Sequence, residues 1–128
     1  MAIASGTRLL KTYTAEWDFA TDGGAVSTIV LRSSVGPLPS GSIVMGGCID
    51  VTVAALSGTG TIAFSSGQTA ADLSAALAQA ALGIGVKSVI PAFTGATMIK
   101  LTADRAPSIT IATAAFTAGV LRVRLVYL

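Results

Sequence analysis

Few residues in this chain are of the types that do chemistry, and their spacing limits what they can do. Glu16 and Asp18 stand two apart on one strand face, a spacing open to a carboxylate pair or to part of a Ca²⁺ site. No third acidic ligand lies nearby in sequence and calcium takes about six to eight oxygens, so a solvated strand face is the ordinary reading. Cys48 lies between Gly47 and Ile49, with no histidine in the chain to activate it, and reads as a small buried hydrophobe. Asp104 and Arg105 fall in a turn, where a local ion pair or a turn cap is the common arrangement. The SGTG and SSGQT segments look like phosphate cradles, but they lack the lysine that follows the last glycine of a P-loop. Tyr13, Trp17 and Phe19 share a strand face and would stack sugar rings if exposed. The chain has only four Phe, two Tyr and one Trp from which to build a core, so packing is the better use of these rings. Arg122 and Arg124 face the same way on the last strand with no acid nearby in sequence. They suit either an acidic partner surface or the solubilising of an edge strand.

Composition narrows the classes further. The 128 residues are 52% apolar and 11% charged, and Ala, Gly, Ser and Thr make up half of them. The absence of histidine removes the commonest general base and metal ligand, and no metal or cofactor constellation replaces it, so no enzyme activity is expected. A net charge of +2, dispersed along the chain, is too small for a nucleic-acid binder. The one cysteine cannot form an internal disulfide, so the fold does not depend on an oxidising compartment. The mean hydropathy of +0.78 raises the question of a membrane span. The longest charge-free run, residues 51–71, has the length for one, about 20 residues, but eleven Ser, Gly, Thr and Gln residues interrupt it. Residues 1–12 show no apolar run followed by a small-residue cleavage site, so no secretory signal is expected.

The elements that must position these side chains are mostly strands. Residues 13–19 alternate Tyr13, Ala15, Trp17 and Phe19 against Thr14, Glu16 and Asp18, the period of a half-buried strand. Asp22-Gly23-Gly24 then turns the chain, residues 26–32 read as a second strand, and the Gly36 to Gly41 segment with its two prolines breaks it. Residues 42–55 are β-prone around Gly46-Gly47, a pair that marks a bulge or a switch between sheets. Ile49, Val51 and Val53 alternate there with Asp50, Thr52 and Ala54. Residues 61–65, 97–103, 108–112 and 120–127 show the same period. Thr69 stands three residues before Asp72, a capping-box spacing ahead of an alanine-rich stretch, and predicts one short helix near residues 70–81 that Gly83 and Gly85 end. Seven or eight short strands at this spacing predict an all-β sandwich or barrel, with a jelly roll the favoured form. There is no internal repeat or linker, so residues 13–128 are expected to form one β-sandwich domain, preceded by an N-terminal arm over residues 1–12.

The segments AEWDFATDGGAVSTIVL, LPSGSIVMGGCIDVTVA, TIAFSSGQTAADL, IKLTADRAPSITIA and FTAGVLRVRLVYL follow one another between residues 15 and 128. In that order they resemble the head decoration, or cement, proteins of tailed bacteriophages. The resemblance implies a jelly-roll protein on the outer surface of the virion capsid, made in the bacterial host cytoplasm. There it would bridge major capsid subunits and meet other copies of itself as a dimer or trimer. It implies no catalytic residues, no cofactor, no nucleic acid and no membrane. On this reading the arm, with Arg8 and Lys11, lies on the capsid or a neighbouring copy, and Arg122 and Arg124 join the protein interface. The alternative is a receptor- or carbohydrate-binding module of a phage tail or spike, which requires Tyr13 or Trp17 to be exposed beside polar partners. A jelly-roll enzyme of the cupin kind holds its metal with histidines, and this chain has none.

Overall fold

Period-two alternation becomes buried and exposed faces. The computed structural model describes residues 10–90 and 99–128. In chain order the elements are β1 (Lys11–Asp18), the one-turn helix α1 (Phe19–Asp22), β2 (Ser27–Val30), β3 (Ile43–Leu56) and β4 (Thr61–Ser65). They continue with β5 (Ser74–Ala78), a 3-10 turn (Gln79–Ala81), β6 (Gly85–Ile90), β7 (Ile99–Lys100), β8 (Ser108–Ala112) and β9 (Ala118–Tyr127). One sheet, A, runs β1-β9-β3-β6 with β7 beside β3, and the other, B, runs β2-β8-β4-β5. Every pairing is antiparallel and the pairs nest: β4 with β5, β3 with β6, β2 with β8, β1 with β9. A long hairpin rolled up in this way is a jelly roll, and its two sheets face each other across one core. The expected all-β, jelly-roll-like sandwich is therefore the architecture found. Among the described residues no helix is long and apolar enough to cross a membrane.

The core lies between the sheets. Tyr13, Ala15 and Trp17 of β1, Ile49 and Val51 of β3 and Leu121, Val123 and Leu125 of β9 meet Ile62, Phe64, Ile109 and Ile111 of sheet B. The edge of the Trp17 ring meets Phe116, with centroids 6.4 Å apart and planes at 87°, a geometry that adds about 0.5–1.5 kcal/mol to simple burial. Gly46-Gly47 does mark an irregularity, since the registers of β3 with β9 and with β6 both slip there. A Cβ on Gly47 would overlap the Arg124 carbonyl oxygen, so only glycine lets the two strands approach. A second slip between Val51 and Val53 turns Val53 outward, and a third between Val53 and Leu56 returns Ala55 to the core, so the sequence alternation fails at Val53.

The short helix expected near residues 70–81 is not at that position, and the four-residue α1 lies at Phe19–Asp22 instead. Two local features redirect the chain. Ala71 takes a left-handed conformation with φ 55, which ends any helix at its first turn. The Asp72 carboxylate does not close a box with Thr69 but accepts from the backbone N–H (2.7 Å) and hydroxyl of Ser66. Residues 74–78 then pair with β4 as β5, so a long-range ladder outweighs the helix propensity of alanine. β6 is a strand with no clear signal in the sequence. Of the strand expected at 97–103, Ile99 and Lys100 form β7, and Thr97 and Met98 lie outside the described residues.

Candidate functional site

Glu16, Asp50, Arg122 and Arg124 of sheet A gather on its outer face, whereas Lys11 and Lys87 stand at the two edge strands in register with its inner side. Register places Glu16 of β1 and Asp50 of β3 on either side of Arg122 in β9. Arg122 Nε donates to Glu16 Oε1 at 3.1 Å, and Arg124 Nη2 lies 3.4 Å from Asp50 Oδ2. Arg32 extends the row past β1. Its backbone exchanges hydrogen bonds with Glu16 at 2.8 and 3.0 Å. Its guanidinium donates to both oxygens of Asp22, at 2.8 and 3.1 Å, and stands 3.8 Å from Glu16 Oε2. Burial alone would raise the Asp22 carboxyl. The hydrogen bond and charge of Arg32, with a further N–H from Asp18, outweigh it and hold that carboxyl below its ordinary value. Each exposed pair contributes only about 0–1 kcal/mol. The consequence of the row is electrostatic: Arg32, Arg122 and Arg124 are matched by Glu16, Asp22 and Asp50, and the face carries no local excess of charge.

Beside this row, Thr14, Ala15, Glu16, Arg32, Ser33 and Ser34 line a shallow open depression of about 420 Å³. The lining holds one acid and one base already engaged with each other, which suits contact with a polar surface and supplies no nucleophile–base pair. Toward the other edge of the sheet the polarity changes. Val86, 68% exposed, stands opposite Asp50 on the same outer face, and Ile84, 72% exposed, leads into β6.

The residues singled out from sequence separate clearly. Arg122 and Arg124 share the outer face as expected, but β9 is a central strand between β1 and β3, so they solubilise no edge, and both meet acids from neighbouring strands. Lys11 is exposed and opens β1 opposite Tyr127, and Thr12 pairs with Val126. Both residues thus stand in the sheet, although the arm was expected to reach residue 12. Arg8 and residues 1–9 lie outside the described residues. Glu16 is tied to arginines, and Asp18 caps α1 by accepting from Ala20 N–H at 2.9 Å. No group of three His, Cys, Asp or Glu able to hold a metal exists among the described residues. Cys48 is not in the core. It stands half-buried on the outer face, opposite Arg124 on one side and Ser88 on the other. Asp104 accepts from Ser40 N–H at 2.8 Å and the Arg105 backbone pairs with Leu38, so this turn fastens the 38–40 loop.

The aromatic face is core. Trp17 is fully buried, and its indole N–H donates to the Gly23 carbonyl at 2.9 Å. Tyr13 is 3% exposed, and its hydroxyl donates to the Gly36 carbonyl at 2.6 Å. Burial pushes the Tyr13 phenol up. A stacking platform for sugars needs these rings in water, and they are not there. The SGTG turn serves structure as well: Ser57 Oγ accepts from Gly60 N–H at 2.9 Å and donates to the Ala115 carbonyl at 2.8 Å.

The outer face of sheet B is the opposite of sheet A's. Its four strands, STIV, SITIA, TIAFS and SAALA, contain no charged residue. Thr28 and Thr110 hydroxyls meet across β2 and β8 at 3.2 Å. The chain therefore presents two broad surfaces, one of balanced ion pairs and one without charge.

No protein-family model matches the sequence, and no curated protein matches it closely enough to count as a relative. Solved structures do share the fold. A chain of the cyanophage Pam1 capsid asymmetric unit superposes with a TM-score of 0.60 at 22% identity, over 98% of this chain and 96% of that one. A chain of the acid-stable capsid of Helicobacter pylori bacteriophage KHP30 superposes with a TM-score of 0.56 at 16% identity, over 94% of this chain and 87% of that one.

Proposed function

We propose that this chain is a structural virion protein of a bacteriophage, seated on the outer surface of the capsid, where it bridges neighbouring major capsid subunits. The observation that carries the reading is the likeness, over nearly the whole of both chains, to a chain of a phage capsid asymmetric unit. A clamp of this kind needs area and complementarity rather than chemistry, and a standard contact buries about 1,200–2,000 Å². Both broad surfaces suit that demand. Sheet B can be covered without stripping water from any charge, and the arginines of sheet A already have partners that limit the cost of covering them. Arg122 and Arg124 serve as interface residues on that face. Residues 1–9 with Arg8, continuing into Lys11, act as the arm that reaches the capsid or a neighbouring copy. Repetition over a symmetric shell multiplies contacts that are individually modest. The buried Trp17 and Tyr13 count against a carbohydrate-binding module. Heads carrying the protein should withstand heating or chelation that opens heads lacking it. Equal resistance of the two, together with no copies on the shell surface, would defeat the proposal.

A further inference from the structure

A sandwich of two open sheets has four edge strands, and each presents unpaired backbone groups unless something guards it. Three of them are guarded here. β1 is bridged by Arg32, whose backbone bonds to Glu16. β6 carries Lys87. β5 is bulged, because Leu77 faces Ile62 while Ser74 faces Phe64. β2 has no bridge, charge, proline or bulge, and only its four-residue length limits it: its register with β8 is unbroken. Val30, 59% exposed, stands on its outer face with Thr28, and Val26, 56% exposed, leads into the strand.

The direction of the β2 backbone follows from one bond. Leu31 N–H donates to the Pro107 carbonyl at 2.9 Å, directly opposite in the register. In an antiparallel ladder the bonded residues alternate, so Ile29 and Ser27 also turn their backbone groups to β8. Thr28 and Val30 turn theirs to the open edge. The geometry points to a second copy of this chain as the occupant of that edge, paired antiparallel about a twofold axis through Ile29. In that register Thr28 of each copy faces Val30 of the other and exchanges both backbone hydrogen bonds with it, and the two B sheets become one of eight strands.

A second copy fits because a twofold contact sets each surface against its own image. Sheet B has no charge to repel its image, and β-branched Thr and Val make favourable cross-strand neighbours. The contact is short, well below the area of a standard stable interface, so in free solution it is weak. On a shell, where copies are held near one another, a weak ladder suffices. The inference thus deepens the virion reading by naming the contact between copies.

Sedimentation of the purified full chain tests it without any capsid. The expected result is a reversible dimer whose weight-average mass climbs with protein concentration up to about 1 mM. Val30→Asp and Thr28→Lys, both at exposed positions, should each weaken it by about tenfold or more, and the double variant should recover most of that loss because opposite charges then face each other twice. Circular dichroism confirms that each variant is folded. A mass that stays monomeric throughout would overturn the inference, as would a dimer indifferent to the single variants or a double variant no better than either. Failure of the protein to bind heads would leave this dimer untouched, so the two readings fail separately.

Discussion

Trp17→Phe tests whether the aromatic face of β1 is core or binding surface. The indole is fully buried, its N–H satisfies the Gly23 carbonyl, and its ring meets Phe116 edge-on. Phenylalanine keeps an aromatic ring but removes the N–H, which leaves a buried carbonyl without its partner at about 1–3 kcal/mol. The smaller ring also leaves a void beside Phe116 and Gly119, whose Cα lies so close to Trp17 that a Cβ there would come within 2.7 Å of the indole. That void adds about 1–2 kcal/mol. A total loss of about 2–5 kcal/mol still leaves most domains of this size folded, given usual stabilities of about 5–15 kcal/mol. Urea unfolding followed by far-ultraviolet circular dichroism measures it, since the substitution removes the only tryptophan. A separate cycle of Trp17→Leu with Phe116→Leu, which removes both rings, should show a coupling of about 0.5–1.5 kcal/mol between them. A loss below about 0.5 kcal/mol, the usual cost at an exposed site, would refute the argument and return Trp17 to the candidates for ligand stacking.

Two further substitutions test other parts of the account. Ala71→Gly should stabilise the protein by up to about 1 kcal/mol because Ala71 is left-handed; inside a helix the same change would cost about 1 kcal/mol, so the sign of the shift in midpoint separates the two conformations. Asp22→Asn should cost about 1 kcal/mol at neutral pH by removing the charged partner of Arg32. Because the folded-state value of Asp22 is depressed, its contribution is fully present above the ordinary carboxylate range and is lost as pH falls through the depressed value. The stability gap between wild type and variant should close at that acid end, and a gap constant with pH would show that the charge plays no part.

How much of this was legible in the sequence depends on the range of the deciding interaction. Tyr13, Ala15 and Trp17, or Leu121, Val123 and Leu125, announce their inward face because period two is a local property. Val53 breaks the pattern because a slip against β9 turns it outward, and nothing local records that slip. The alanine-rich stretch before Gly83 misleads for the same reason. Its composition favours helix, while its pairing with β4 and the Asp72 bond to Ser66 favour a strand. The partners of Arg122 and Arg124 were invisible because they come from 106 and 74 residues away. Which strands are edges is equally non-local, since β9 becomes central only when both ends of the chain return to one sheet. The scarcity of charge, by contrast, was plain in the composition. The fold added its location: the charges of the sandwich strands lie in sheet A, and sheet B has none.

The central claim is that this chain belongs on the outside of a capsid, and stoichiometric binding to heads tests it most directly. Purified protein should be titrated onto intact heads that lack it, with the bound fraction counted after the heads are pelleted. The account predicts saturable binding at a fixed ratio to the major capsid subunits, with the copies visible as density on the outer surface. Binding that never saturates, or heads that remain bare at excess protein, would contradict it.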